Sequence, residues 1–251
     1  YVLAGGASYG AVQVGQLRAL AKTDITPDMI VGTSVGALNG TVVAEDPSGA
    51  ADRLAALWST VTREDVFGKT LPTAYRLASR KSSAIDSRSL QAFIEGDFSD
   101  LKVPHTAITT DFDTGEVVPL REGELISAVM ASAAIPAVFP AVERDGRRLV
   151  DGGVVANVPI GVAAAQGAQT IVVLDCGFTV VAPQKEETLR ANLLRMAAIM
   201  ASQQVRRDLE KVRDRTVLYL PGPWPIGSRP DDFRRSQELA NAAYELTLEW
   251  L

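Results

Sequence analysis

The chain lacks several of the side chains on which common active sites depend. Its 251 residues include one histidine, His105, and one cysteine, Cys176. A lone cysteine excludes an internal disulfide framework and fits a reducing compartment. No run of 18 apolar residues is present, so we expect a soluble chain without a membrane-spanning helix. The net charge of −5 at pH 7 argues against nucleic acid as the main partner, because phosphate binding requires a basic face.

Strand and helix signals alternate along the chain from its first residues. Residues 1–4 form a short apolar run, and residues 11–20 carry apolar side chains at helical spacing. Residues 28–31 and 35–44 repeat this strand and helix pattern. The alternation predicts an α/β fold in which helices cover both faces of a mostly parallel sheet. Because 47% of the residues are hydrophobic and 22% are charged, we expect one globular domain over residues 1–251.

The remaining segments extend the same pattern. We predict strands at residues 105–110, 148–150, 170–175 and 217–220, and helices at residues 52–61, 87–94, 125–133, 186–213 and 233–251. Asp145-Gly146 is a two-residue hairpin signal directly before one of these strands. Residues 66–83 are the least regular stretch and are locally basic. A solvated connector helix is the simpler interpretation of that stretch, and a lid is the alternative.

Ser34 lies in the motif Gly32-Thr33-Ser34-Val35-Gly36, between a predicted strand and a predicted helix. A Gly-x-Ser-x-Gly motif in that context is typical of a nucleophile elbow, a sharp turn that exposes a serine hydroxyl. Gly32 and Gly36 leave room for the backbone to reverse direction. The alternative interpretation, an ordinary tight turn, would not require the flanking strand and helix. A catalytic serine also needs a base, which is usually an imidazole.

His105 is poorly placed in the sequence to be that base. In α/β-hydrolases the histidine follows the acidic residue late in the chain, and no histidine follows His105. Asp151 is a better candidate, because a predicted strand leads its carboxylate into Gly152 and Gly153, where backbone and substrate can approach closely. A plain aspartate-glycine turn is an equally simple interpretation of this motif taken alone.

A glycine-rich loop precedes the first predicted helix. It consists of Gly5, Gly6, Ala7, Ser8, Tyr9 and Gly10. Backbone N–H groups at such a helix start bind anions. The order of this loop, the Gly-x-Ser-x-Gly motif and Asp-Gly-Gly resembles the patatin-like phospholipases, and residues 13–20, 131–140 and 157–159 also agree with that family. The resemblance runs over nearly the whole chain.

The resemblance implies a three-layer α/β/α fold and a lipid acyl hydrolase that works through a covalent acyl-enzyme. It implies a Ser-Asp dyad with Ser34 as nucleophile and Asp151 as general base, which explains the missing late histidine. The oxyanion-binding residues that it implies are Gly5, Gly6, Ala7, Ser8 and Gly10. Backbone N–H groups near Gly6, Ala7 and Ser8 would stabilise the tetrahedral oxyanion. The implied partner is a lipid or acyl-ester substrate, and we expect no metal and no cofactor.

Two positions depart from the family pattern. Ala7 occupies the place where a third glycine is common, which is harmless provided that its φ angle is negative. Tyr9 occupies the place where the family usually carries arginine or lysine, and a phenol cannot supply that positive charge. We therefore expect activity toward simple esters before activity toward anionic phospholipids.

Three alternatives use the same residues. A serine acyltransferase would use His105 as its base. A dinucleotide site would use the first glycine loop, with Asp24 or Asp28 on the ribose, although Ala7 breaks the Gly-x-Gly-x-x-Gly pattern. A catalytically weak interaction module would follow if Tyr9 disables the loop.

For location, we expect the cytoplasm or a peripheral position at a membrane surface. The sequence is compatible with a targeting segment upstream, because Tyr1 already belongs to the first predicted strand. Transient contact with a membrane is a hypothesis motivated by the basic residues 66–83 and the apolar residues 131–139.

Overall fold

A mixed, mostly parallel sheet forms the centre of the computed structural model, which describes residues 1–68, 94–180 and 188–251. Its strands are β1 Val2–Leu3, β2 Ile30–Thr33, β3 His105–Asp111, β4 Val117–Leu120, β5 Val142–Arg144, β6 Arg147–Asp151, β7 Thr170–Leu174 and β8 Thr216–Tyr219. Their order across the sheet is β5, β6, β3, β2, β1, β7, β8, and β4 also pairs with β3. Neighbours from β3 to β8 are parallel, whereas β4 and β6 run antiparallel to β3.

Helices flank both faces of the sheet and give the expected three layers. The described α-helices are α1 Ala11–Leu20, α2 Val35–Glu45, α3 Ala50–Thr60, α4 Arg63–Phe67, α5 Leu125–Ser132, α6 Gly153–Ala156, α7 Ile160–Ala165, α8 Leu189–Lys211 and α9 Ser236–Trp250. One group is formed by α1, α2, α3, α5 and α9, which contact one another, and a second group by α6, α7 and α8. Within the described ranges, no helix combines the length and apolar character needed to cross a bilayer.

The predicted elements are confirmed wherever the structure describes them, with ends shifted by a few residues. Residues 87–93 of the helix predicted at 87–94, and residues 69–83 of the basic stretch, lie outside the described residues. Asp145 and Gly146 form the predicted hairpin turn between β5 and β6, with φ angles of 51° and 73°. The last predicted helix begins with a 3₁₀ turn at Phe233–Arg235. The single domain over residues 1–251 stays a prediction.

Strand β3 brings two other strand ends together. Thr33, the last residue of β2, pairs with Ile108 of β3. The next residue of β3, Thr109, pairs with Asp151, the last residue of β6. Because β2 and β6 approach β3 from opposite directions, their carboxyl ends meet at adjacent positions. Ser34 follows Thr33 directly, so the register of β3 places Ser34 beside Asp151.

Candidate active site

Ser34 occupies the sharp turn between β2 and α2, with φ 55° and ψ −123°. A positive φ at a residue with a side chain costs on the order of 1 to 2 kcal/mol, so the surrounding structure must impose it. A Cβ atom at Gly32 would lie 2.3 Å from the carbonyl oxygen of Gly36, and one at Gly36 would lie 2.3 Å from that of Leu3. Both positions therefore require glycine, and the predicted elbow is present.

Ser132, at the end of α5, supports the elbow from inside the protein. The backbone N–H of Ser34 donates a hydrogen bond of 2.8 Å to Ser132 Oγ. Ser132 Oγ in turn donates a bond of 2.6 Å to the carbonyl oxygen of Ile108 on β3. Ser132 is fully buried, so these bonds form away from water. No role was predicted for Ser132, and its only signal in the sequence was its place within residues 131–140.

Asp151 presents its carboxylate to Ser34. The Ser34 side chain is a hydrogen-bond partner of this carboxylate, and the N–H of Gly153 donates a bond of 2.7 Å to Oδ1. Burial raises the pKa of Asp151 from 3.8 to about 6, although both hydrogen bonds act to lower it. A carboxylate with that pKa accepts a proton at neutral pH more readily than an ordinary aspartate. A Cβ atom at Gly152 would lie 2.3 Å from the carbonyl oxygen of Ile108, so the close approach needs glycine there.

Gly5 lies directly beside the serine. A Cβ atom at Gly5 would be 3.3 Å from Ser34 Cβ and 2.7 Å from Asn157 Oδ1. The Gly5 N–H donates to the carbonyl oxygen of Asn157 at 3.0 Å, and Asn157 Nδ2 donates to the carbonyl oxygen of Gly5 at 3.3 Å. Gly5 therefore positions the loop, but its N–H is already occupied, which corrects its predicted role in binding the oxyanion.

Among residues 5–8, the candidate oxyanion donors are Gly6 and Ala7. The N–H of Ser8 donates to the carbonyl oxygen of Pro230 at 2.9 Å, so the prediction that Ser8 binds the oxyanion was wrong. Gly10 ends a 3₁₀ turn, where it packs against Val35. Among the described residues, the N–H groups of Gly6 and Ala7 donate to no protein acceptor. They remain available to a ligand.

Ala7 does not have the negative φ that would make it harmless. Its φ is 51°, in the left-handed region that favours glycine. The backbone is held there because Ser8, the next residue, is bonded to Pro230, while Gly6 packs on Cys176 with no room for a Cβ atom. Backbone with a positive φ therefore occurs twice in the site, at Ser34 in the elbow and at Ala7 in the glycine loop.

Tyr9 makes a hydrogen bond at the position where the family usually carries a positive charge. Its hydroxyl donates to the carbonyl oxygen of Ser228 at 2.5 Å, beside the bond between Ser8 and Pro230. Burial, and secondarily the negative charge of Asp231, raises the pKa of Tyr9 to about 12, so the phenol stays neutral. Two neighbouring bonds therefore fix the loop to residues 228–230. Tyr9 therefore anchors the loop without supplying a positive charge.

A buried polar network underlies both ends of the glycine loop. Gln13 Nε2 donates to the carbonyl oxygen of Ala4 at 2.9 Å, just before the loop. Asn39 Nδ2 donates to Gln13 Oε1 at 2.8 Å and to the carbonyl oxygen of Gly10 at 3.1 Å, at the loop's far end. Trp58 Nε1 completes the network with a bond of 3.1 Å to Asn39 Oδ1. Sequence reasoning missed these residues because buried amides inside a helical pattern resemble surface positions.

An apolar cavity of about 420 Å³ opens at Ser34. Its walls include Leu38, Leu57, Phe67, Ile135, Phe139 and Phe233. Phe67 stacks on Phe139 with ring centroids 5.8 Å apart, which stiffens one wall. Ala7 lines the same cavity, so one of the two free N–H groups belongs to a residue of its wall. Of residues 131–139, which were hypothesised to contact a membrane, Ala133, Ile135 and Phe139 line this cavity, and the membrane contact stays a hypothesis.

His105 lies at the opposite edge of the sheet. It pairs with Ile30, the first residue of β2, whereas Ser34 follows the last residue. At about 3.3 Å per residue, the two side chains start roughly 13 Å apart along the strand. His105 is buried against Gly40 and stacks on Phe98, and burial lowers its pKa to about 4. The structure therefore excludes His105 as the base for Ser34, which removes the acyltransferase alternative in that form.

The chain is similar to several known proteins. The sequence profile of the family described as Patatin-like phospholipase matches residues 1–164. Patatin-like phospholipase domain-containing protein 7 of Mus musculus is 34% identical over 179 residues, which make up 70% of this chain and 13% of that protein. Lysophospholipase NTE1 of Mycosarcoma maydis is 28% identical over 185 residues, 70% of this chain and 9% of that protein. The chain thus corresponds to a small part of these relatives.

Among solved structures, VipD from Legionella pneumophila matches with a TM-score of 0.46 and 13% sequence identity, over 98% of this chain and 65% of that one. The family profile covers more than half of the sequence, and the loop, the elbow and Asp-Gly-Gly occur in the family's order. The chain therefore belongs to the patatin-like phospholipase family.

Proposed function

We propose that this chain is a serine lipid acyl hydrolase with a Ser34-Asp151 dyad. One observation carries the proposal. A serine on a strained elbow has a buried carboxylate as its hydrogen-bond partner, and it opens into an apolar cavity. A structural serine would need neither the positive φ nor a carboxylate whose pKa is raised to about 6.

The reaction proceeds in two halves. Asp151 accepts the proton of Ser34 Oγ as that oxygen forms a bond to the ester carbonyl carbon. The N–H groups of Gly6 and Ala7 bind the oxyanion, and each such donor contributes about 3 kcal/mol in comparable hydrolases. The proton then passes from Asp151 to the departing alcohol and leaves an acyl-enzyme. In the second half, water attacks the acyl carbon while Asp151 accepts a proton from it. The bond between the acyl carbon and Ser34 Oγ then breaks, the carboxylic acid leaves, and Asp151 returns the proton to Ser34 Oγ.

The cavity favours an ester with an apolar acyl chain. Its walls are mainly aliphatic and aromatic side chains, which gain free energy by removing a hydrocarbon chain from water at about 25 cal/mol per Å². The acyl carbonyl would lie at Ser34, and Ala7 lines the same cavity. We therefore expect the rate to rise with acyl length until the chain fills the cavity.

A fluorophosphonate probe and a series of p-nitrophenyl esters of increasing acyl length test this function. We expect Ser34 to be labelled, Ser34→Ala to abolish both labelling and turnover, and Asp151→Asn to leave the elbow intact but inactive. A chain that is folded yet neither labelled nor active would support the interaction module instead. Turnover that survives Ser34→Ala would contradict the proposed nucleophile.

A further inference from the structure

The side chain of Asn157 lies between the two loops that carry the proposed chemistry. A Cβ atom at Gly5, in the glycine loop, would lie 2.7 Å from Asn157 Oδ1 and 3.3 Å from Ser34 Cβ. A Cβ atom at Gly153, beside the base, would lie 2.9 Å from Asn157 Oδ1 and 3.0 Å from Asp151 Oδ1. Both side-chain oxygens therefore lie within 3.0 Å of one point, so they are at most twice that distance apart.

The orientation of the Asn157 amide is fixed by its neighbours. Nδ2 donates to the carbonyl oxygen of Gly5 at 3.3 Å. Because a carbonyl oxygen can only accept, the amide cannot exchange its nitrogen and oxygen without losing this bond. The residue before it is held too, since the carbonyl oxygen of Ala156 accepts a bond of 2.8 Å from Thr33 Oγ1. Oδ1 is therefore kept on the side of Asp151.

Asn157 Oδ1 is an acceptor to which no described group donates a hydrogen bond. Asn157 is only 5% exposed, but Oδ1 is not one of the described unpartnered side-chain atoms that are sealed from solvent. The neighbouring carbonyl oxygens of Gly5, Ser34 and Ile108 each accept a hydrogen bond already. Oδ1 is therefore the acceptor beside the dyad that a small polar molecule can reach.

The second half of the proposed reaction needs an acceptor of this kind. In the acyl-enzyme, Ser34 Oγ carries the acyl group and has no hydrogen, so Asp151 loses the serine as a donor. Asp151 can then accept one hydrogen of the attacking water. The other hydrogen also needs an acceptor, because an unsatisfied O–H group in a buried site costs free energy. A second bond also fixes the direction from which the water oxygen attacks.

The acyl chain and the water would reach Ser34 from different sides. The apolar cavity includes Ser34 and Ala7, but neither Asp151 nor Asn157 is among the described residues that line it. An acyl chain in the cavity therefore leaves the Asp151 side of the serine to water. That side borders solvent, since Val154, three residues after Asp151, is 43% exposed.

We propose that Asn157 Oδ1 binds the water molecule that hydrolyses the acyl-enzyme. The water donates one hydrogen bond to Asn157 Oδ1 and the other to Asp151. As the water oxygen bonds to the acyl carbon, Asp151 takes the proton that it holds, while the other hydrogen stays on that oxygen and leaves with the carboxylic acid. The bond from the acyl carbon to Ser34 Oγ breaks, and Asp151 returns the proton to Oγ. This role rests on the proposed function and concerns deacylation alone.

The test is how the acyl-enzyme divides between water and hydroxylamine, which is a stronger nucleophile. With a p-nitrophenyl ester as substrate, the ratio of hydroxamate to carboxylic acid depends only on the step after acylation, and Ser34→Ala corrects for the direct reaction. We expect Asn157→Ala to raise this ratio at least about tenfold, because water loses one of its two acceptors. Labelling by a fluorophosphonate should slow by no more than about threefold, because the main chain of residue 157 still accepts the Gly5 N–H.

The matched control is Thr33→Val, which removes the bond to Ala156 and so loosens the same segment without removing Oδ1. Its product ratio should equal that of the wild type. An unchanged ratio in Asn157→Ala, or an equal rise in Thr33→Val, would overturn the proposal. Asn157→Leu keeps the approximate shape of the side chain, and loss of labelling in both Asn157 variants would also overturn it, because acylation would then need this residue. A wild type that is neither labelled nor active would refute the proposed function itself.

Discussion

The two ends of the same strands in this sheet have opposite characters. At the carboxyl edge, Ser34 and Ala7 have positive φ angles, Asp151 is buried with a raised pKa, and a cavity opens to ligands. At the amino edge, His105 is also buried, but it packs against Gly40 and Phe98 and its pKa is lowered to about 4. Burial alone therefore does not identify a functional group. Backbone strain and the hydrogen bond between Ser34 and the Asp151 carboxylate distinguish the two edges.

The largest difference between the edges should be in turnover. We expect Asp151→Asn to lower kcat by on the order of 10⁴-fold, because the amide cannot accept the Ser34 proton. His105→Leu should change kcat by no more than about threefold. Rates are divided by the concentration of folded protein, measured by near-UV circular dichroism, so that unfolded protein is not counted. A thousandfold loss in His105→Leu measured this way would break the comparison.

The next largest effect should be on stability as a function of pH. Asp151 has a folded pKa of about 6, raised from 3.8, so its stabilising contribution is present below pH 3.8 and is lost as the pH rises through 6. Asp151→Asn should therefore raise the free energy of unfolding by about 2 to 3 kcal/mol at pH 8, and the gain should vanish near pH 4.

His105 should show the opposite pH dependence. Its folded pKa of about 4 is below the ordinary 6.5, so its contribution is present above pH 6.5 and is lost as the pH falls through 4. Urea unfolding of His105→Leu and Asp151→Asn across pH 4 to 8 measures both effects. Parallel pH profiles for the two variants would contradict the assigned shifts.

A smaller effect is expected at Ser132. Ser132→Ala leaves the Ser34 N–H without its acceptor inside the protein, at a cost of about 1 to 3 kcal/mol. We expect kcat to fall about 10- to 100-fold with little change in KM, since the substrate cavity does not include Ser132. The matched control is Ser59→Ala, which removes an exposed hydroxyl bond on α3. Wild-type kcat in Ser132→Ala would show that the elbow needs no such support.

Tyr9→Phe should have a modest effect. It removes the bond to the Ser228 carbonyl and should reduce the free energy of unfolding by about 1 kcal/mol. Turnover should fall by only a few fold, because the Ser8 N–H still holds the loop to Pro230. Tyr9→Arg is the informative partner variant. If it raised activity above the wild type, the missing cation rather than anchoring would be the important departure from the family.

The smallest expected effect is at Ala7. Glycine adopts a φ of 51° without steric cost, so Ala7→Gly should raise the free energy of unfolding by about 0.5 to 1 kcal/mol. Chemical denaturation measures this difference. Destabilisation by Ala7→Gly would mean that the methyl group's packing in the cavity outweighs the relief of backbone strain.

The sequence predicted the parts of the structure that depend on local patterns. Apolar spacing identified the main strands and helices, and glycines marked the elbow and the loop. Strand β4 was missed because Pro119 argues against a strand, although β4 pairs only with β3 among the described strands and tolerates a proline there. The short helices α6 and α7 offered too few turns for a helical period to be recognised.

The site was predicted less completely, because several of its features depend on long-range contacts. Whether an N–H in the glycine loop is free depends on Asn157 and Pro230, which are far away in the sequence. The φ of Ala7 and the role of Ser132 likewise arise only when distant segments pack together. Residue types could nominate Ser34 and Asp151, but they could not tell an occupied donor from a free one.

The pairing of Thr33 with Ile108 and of Asp151 with Thr109 limits how this site can be altered. The spacing between the proposed nucleophile and base is fixed by main-chain pairing, so changing side chains around it would adjust reactivity without moving the two groups apart. An insertion or deletion of one residue within β3 would turn one of them to the other face of the sheet. Diversification of substrate choice in such a scaffold is therefore confined to the cavity walls, while the middle of β3 must keep its length.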